Sequence, residues 1–266
     1  MSGTHHRTWQ QFHVGHLNIT VQLDSTPESR STQRHQELAN VTRQLIATMD
    51  AERIPATWAV SDPAHSAATS LLLKSTVDHE LAILGDANWV GPTAGRTRFA
   101  RELVRRMTQA RGAGLNVTTL VPSVASIEGH IDLVVKQHIT AIAGLPTPAT
   151  AGQFLEPRAM HYGVWEMPLS ASLPMRASWF SSGKRSIWRR IHRTASEAGS
   201  FHLLIDAAAI AAAGRRDNLI VKWLMRRTAT LRDRGLLRVE TLRATAARLS
   251  DIPAISPQRS ILRAAA

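Results

Sequence analysis

Five carboxylates are the first residues in this sequence that could do chemistry. Asp24, Asp62, Asp86, Glu166 and Asp206 each stand at or just after a short apolar run. Runs of that length read as strands, and parallel strand ends gathered on one face of an α/β fold bring such residues together. A carboxylate pair can serve glycoside chemistry, and an oxygen-rich group can hold a hard cation such as magnesium or calcium. Aspartates just after strands also cap the helices that follow, so both readings stand. Tryptophans form a second set: Trp58 and Trp165 fall on apolar runs, Trp89 and Trp179 in segments that would flank the mouth of a barrel. An indole face stacks on a sugar ring or packs a core. His202 follows Phe201 on an apolar run, where alternation aims it to the opposite face, as a hydrogen-bonded barrel histidine or a catalytic one. His5, His6, His13 and His16 make a histidine-rich start with no element expected to converge them.

Other chemistries are excluded by composition. The chain of 266 residues has no cysteine, which removes disulfides, thiolate zinc sites and a cysteine nucleophile. There is no G-x-S-x-G, no P-loop and no G-x-G-x-x-G after the first strand. The first sixteen residues lack a signal-like apolar run, and no stretch approaches bilayer-spanning length, so a cytoplasmic protein is the expectation. The net charge of +12 is carried almost wholly by arginine, in clusters at Arg101, Arg105 and Arg106, at 184–193 and at 226–238. Apolar residues interleave each cluster at helical spacing, as on the solvated face of an amphipathic helix. Nucleic acid is therefore not the expected partner; a basic nucleic-acid-binding protein is the second alternative.

Strands are expected at 16–22, 56–60, 80–84, 117–121, 139–143, 162–168, 201–205 and 236–240. Helices are expected at 33–52, 64–75, 96–111, 127–137, 184–198 and 218–234. The helix at 33–52 is typical, with Leu38, Val41, Leu45, Ile46 and Met49 at helical intervals. Such alternation implies a parallel sheet with right-handed crossovers, closed or open. Residues 1–15 read as a flexible segment, 16–249 as one domain and 250–266 as a tail.

Several stretches, in order, resemble the polysaccharide deacetylase (NodB-homology) family. Leu17–Ser25 resembles the family's strand ending in Phe-Asp-Asp-Gly. Arg53–Val60 is similar to the strand that includes Ala-Thr-Phe-Phe-Val, and Asp78–Ala82 to Gly-His-Glu-Ile-Gly. Gly163–Ser170 resembles Glu-Ile-Pro-Val-Ser, Ala198–Ala207 the Gly-x-Phe-His-Leu-Trp-x-His-Pro strand, and Leu236–Leu242 the closing Phe-x-Thr-Leu strand. The resemblance spans 17 to 249 and implies a distorted (β/α) barrel of about seven strands, with its site at the C-terminal strand ends.

The family holds a zinc-like metal with one aspartate and two histidines, and uses a second aspartate as base. On that pattern Asp24 keeps the metal-ligand aspartate and Leu23 stands in place of the base. Leu84 and Asn88 replace the two histidines, and Asp206 replaces a later one. His79 matches the motif histidine that precedes the ligands, in a structural role. Leucine ligates no metal and accepts no proton, and asparagine is a weak ligand for zinc. No metal or other cofactor is expected, except a divalent ion in a site rebuilt from carboxylates. The expectation is a catalytically degenerate, carbohydrate-binding or accessory protein of polysaccharide metabolism, with Asp24 and Asp206 as candidate catalytic residues. Trp89, Glu166, Trp179 and His202 are its candidate glycan contacts. The alternative is an active hydrolase or deacetylase using Asp24, Asp86, Glu166 and Asp206.

Overall fold

A computed structural model describes residues 14–23, 32–91, 94–123, 127–146, 155–173, 182–213 and 215–251. Asp24, Trp179, His5, His6, His13 and most of the proposed tail lie outside these residues. The order is β1 (Gly15–Gln22), α1 (Thr32–Ala51), β2 (Thr57–Val60), α2 (Ala67–Leu72), β3 (Glu80–Gly85), α3 (Arg96–Gly112), β4 (Thr119–Pro122), α4 (Ile131–Lys136) and β5 (Ala141–Pro146). There follow β6 (Arg158–Ala159), β7 (Trp165–Leu169), β8 (Ala171–Leu173), α5 (Ser182–Glu197), β9 (Ser200–Asp206), α6 (Ala207–Ala213), α7 (Arg215–Asp233), β10 (Leu237–Glu240) and α8 (Leu242–Ser250). Two short 3-10 turns precede α4 and β7.

The strands pair in the order β6-β7-β5-β4-β3-β2-β1-β9-β8, all parallel except β6 with β7, and β10 pairs with Gly15–Asn18 of β1 on the edge that β2 joins at Thr20–Gln22. β7 and β8 are separated only by Ser170, whose amide donates to the His202 carbonyl at 2.9 Å. The run is thus one strand that changes partner, from β5 to β9, and the sheet curls back upon itself. Counted that way, β1, β2, β3, β4, β5, β7–β8 and β9 make the seven-stranded distorted barrel expected. β10 is the strand expected at 236–240, and only β6 and β8 are additions to the strands read from the sequence.

Alternation assigns the two sheet faces. Odd residues of β1 and β9 (Leu17, Ile19, Val21, Phe201, Leu203, Ile205) pack outward with Leu45, Met49, Ile191 and Met225 of the surrounding helices. A second outer layer joins Ile83, Leu120 and Ile142 to Phe99, Leu103 and Met107 of α3. The barrel interior holds Ala59, Ala82, Leu84, Val121, Ala141, Ala143 and Met167. Small side chains dominate there because the bore is narrow. Contact between layers is close: a Cβ on Gly15 would lie 2.3 Å from the Thr194 carbonyl oxygen, so only glycine lets α5 lie so near β1.

α8, which the sequence reading left without an element, closes the N-terminal end of the barrel. Thr241 caps it, accepting from the Ala244 amide, and Leu242 and Ala246 enter the interior cluster. Its first amides donate to Thr57 Oγ1 (2.9 Å) and Glu80 Oε2 (3.0 Å), and Ser250 at its end accepts from the Trp165 indole at 3.0 Å.

Candidate functional site

In a barrel of parallel strands the C-terminal rim is the place to look for chemistry, because the loops there bring different strands to one point. Among the described residues the rim comprises Gln22 and Leu23, Ser61 and Asp62, Gly85 to Asn88, Pro122 and Ser123, Leu145 and Pro146, and Asp206. Leu84 is 2% exposed and sits inside the bore with Val121, Ala143 and Met167. Asn88, in the turn beyond, is exposed. Leu23 packs outward into the helix-facing core, as the odd residues of β1 do. Its even-numbered neighbour Gln22 is the rim residue in register with Asp206.

The described carboxylates each have local partners. Asp206 Oδ1 accepts from the Ala209 amide at 2.9 Å and so starts α6. Asp62 accepts from the Ala64 amide at 3.1 Å, and its other oxygen pairs with His65 at 3.0 Å. Asp86 turns its own loop by accepting from the Asn88 amide at 2.8 Å and lies 3.7 Å from the Arg106 guanidinium. Glu166 pairs with Arg158 at 2.7 Å, and Arg158 also reaches Glu128 at 2.6 Å. Among the described residues no three His, Asp or Glu side chains stand together as a metal-binding group.

Arg106 is the functional-looking residue that the sequence misassigned. Read as part of a solvated cluster, it is 7% exposed. It donates to the Ser61 carbonyl, and its guanidinium stacks 5.1 Å from the Trp89 ring. Trp89 corrects the sequence reading in the same way. It is 1% exposed and packs 5.5 Å from Phe99, with no indole face open to a sugar. A large aromatic so close to α3 gains more from burial than a loop position suggests. Arg106 thus ties together the loops after β2 and β3 and aims Asp86 at α3.

His202 lies inside the bore. Its Nδ1 is 3.0 Å from the Met167 carbonyl, which can only accept, so Nδ1 carries the proton. Nε2, 2.9 Å from Thr20 Oγ1, then accepts from that hydroxyl. Burial pushes its pKa down to about 4, so the ring is neutral. His79 is at the opposite end, where its Nδ1 accepts from the Ala56 amide and its Nε2 donates to Asp50 at 3.0 Å.

The described surface also contains a pocket of about 290 Å³ beside the ends of β4, β5 and β7. Pro122, Ile142, Leu145 and Met160 give it apolar walls, and Arg158 stands between Glu128 and Glu166 at its polar side. It is near the lower limit of small-molecule pockets, roughly 300–1,000 Å³. Glu166, a candidate glycan contact, thus lines this cavity.

No family model and no curated protein matches this sequence. Solved structures do. A Mycobacterium smegmatis protein assigned as a polysaccharide deacetylase superposes with a TM-score of 0.65 at 14% identity, over 91% of this chain and 92% of the other. The fold is that of the polysaccharide deacetylases. The peptidoglycan deacetylase PdaC of Bacillus subtilis gives 0.52 at 11% identity, over 89% and 93% of the two chains. A 4-alpha-glucanotransferase of Thermococcus litoralis gives 0.61 at 7% identity, but the match spans only 40% of that longer chain. The likeness to the deacetylase fold extends over most of the chain.

The metal that this fold family implies can be tested against the residues present. The C-terminal end of β3 offers a buried leucine, and the turn beyond it an asparagine. The imidazoles of His79 and His202 are engaged elsewhere. An aliphatic wall gives a cation no ligand in exchange for its hydration. These residues do not fit a zinc-like ion held by two histidines.

Proposed function

We propose that this protein is a catalytically degenerate, carbohydrate-binding or accessory protein of polysaccharide metabolism, built on a deacetylase barrel. The observation that carries this reading is Leu84, buried among Val121, Ala143 and Met167 where the family pattern calls for an imidazole. No histidine occurs between His79 and His130 to take its place. Standard metal-assisted amide hydrolysis needs an ion to polarise the carbonyl and to generate the attacking water, and the side chains here supply neither function. The pocket beside β5 and β7 supports a ligand role: apolar walls suit the carbon face of a sugar, and Arg158 with Glu128 and Glu166 suits its hydroxyls.

Metal analysis and zinc calorimetry on the purified chain, with an assay for acetate released from chitooligosaccharides, test the proposal. No stoichiometric ion and no acetate are expected. Zinc-dependent turnover would sink the reading. A stoichiometric ion lost in Asp24→Ala would favour the rebuilt carboxylate site instead, and with it the active-hydrolase alternative. Glu166→Gln and Arg158→Met are expected to lower affinity in a glycan-binding screen.

A further inference from the structure

We infer that the solvent face shared by α5 and α7 is a docking surface for an anionic lipid bilayer. The two helices pack side by side over the outer face of the barrel. Helical spacing puts Arg185, Trp188, Arg189 and His192 on one stripe of α5. Leu219, Lys222, Trp223, Arg226 and Arg227 share one stripe of α7 by the same spacing. The stripes meet at an aromatic seam: Trp188 and Trp223 touch edge to face, ring centroids 6.0 Å apart. The Arg227 guanidinium lies 5.4 Å from one ring and 4.9 Å from the other.

Charge and apolar exposure together select the partner. Arg185, Arg189, Lys222, Arg226 and Arg227 make no ion pair with any described residue. The carboxylates of these helices, Glu197, Asp217 and Asp233, stand only at the helix ends. Glu197 is paired with Arg193 and Asp233 with Arg232. Five cations on one face with no ion-pair partner among the described residues call for a polyanion. Yet the centre of this face is apolar: Leu219 is 66% exposed, and Trp223, one turn away, is 36% exposed. A sugar-phosphate backbone satisfies the cations and leaves that leucine in water. A bilayer surface satisfies both, because indole and leucine enter the headgroup boundary while arginine and lysine meet anionic headgroups. Arg227, held close to both rings, keeps its charge at the level of the indoles.

Co-sedimentation of the full chain with vesicles tests this. Binding is expected to phosphatidylcholine vesicles containing phosphatidylglycerol, weakening with salt, and not to pure phosphatidylcholine. A cation near such a surface is worth about a factor of five in affinity, so Lys222→Glu with Arg226→Glu should weaken binding by roughly 25-fold or more. Arg185→Glu probes the other helix independently and should weaken it about fivefold or more. Leu219→Ser should reduce binding at every salt concentration. All these positions are exposed, so unchanged melting temperatures will show that the variants remain folded. Equal sedimentation with both vesicle types, no effect of the charge reversals, or no binding at low salt would overturn the inference. So would retention of duplex DNA without vesicle binding, which would reassign the face to nucleic acid.

Discussion

The two ends of this barrel differ in what they bury. In enzymes of parallel barrel architecture the polar, reactive inventory gathers at the C-terminal strand ends, and the N-terminal end serves stability. Here the bore near the C-terminal ends of β3, β4, β5 and β7 is aliphatic: Leu84, Val121, Ala143 and Met167. The N-terminal end carries the buried polar network. Glu80 accepts from Thr57 Oγ1 at 2.8 Å, from the Thr119 hydroxyl and from the Arg243 amide. Asn18 donates to Thr245 at 2.7 Å and to the Glu240 carbonyl at 2.9 Å. The network fastens α8 across the open bottom of the bore. The fold can be well determined whatever side chains line the rim, because the bonds that seal it lie at the other end.

The sharpest way to break that comparison is Glu80→Ala. It opens a cavity and orphans the buried Arg243 amide and two threonine hydroxyls. A loss of about 3–5 kcal/mol by denaturant melts is expected. Glu80→Gln should cost far less, since the Thr119 hydroxyl can turn to accept from the new amide. The pH trend separates the two states of the group. Burial pushes the Glu80 carboxyl above its ordinary range, so its contribution is fully present below about pH 4.5 and is lost as pH rises through the folded value. The stability difference between wild type and Glu80→Gln should therefore move in favour of glutamine on going from pH 4 to pH 8. A wild type that gains on glutamine over that range would contradict this account.

These two ends were not equally legible in the sequence. Strong 3.6-residue periodicity located α1, α3 and α7 within a few residues, because a helix lying on a sheet buries a broad stripe of large side chains. α8 escaped because it faces a narrow bore, so its inward residues beyond Leu242 are alanine and threonine, with no large apolar stripe to read. Thr241 ahead of an alanine-rich run was the available signal. The partner switch at Ser170 depends on register with β9, which no local pattern encodes. Residue type at the rim could be read, hence Leu84 and Asn88. Orientation could not: Arg106 and Trp89 look like surface residues until α3 is packed against β3.

His202 offers a smaller and purely pH-dependent test at mid-bore. Its folded pKa of about 4 lies below the ordinary 6.5, so the unfolded chain takes up the proton first. The stabilising contribution is complete above pH 6.5 and is lost as pH falls towards 4. The loss amounts to about 3 kcal/mol for a depression of that size. Melts of His202→Gln against wild type between pH 8 and pH 4 should show the gap narrowing by that order. A gap that stays constant would mean that the ring is not held neutral between Thr20 and Met167.

The smallest expected effect bears most directly on the rim. Asp206 is both a candidate catalytic carboxylate and, by its 2.9 Å bond to the Ala209 amide, the cap of α6. Asp206→Ala should cost about 1 kcal/mol from lost capping alone. An alanine variant therefore confuses the two roles, since any fall in binding or turnover could follow from a frayed α6. Asp206→Asn separates them, because asparagine caps about as well as aspartate and carries no charge. If Asp206 only starts a helix, the asparagine variant should match wild type in melting temperature and in every glycan assay. If the variant instead melts normally but loses a hydrolytic activity, the carboxylate itself was at work, and the rim would be chemically alive despite Leu84.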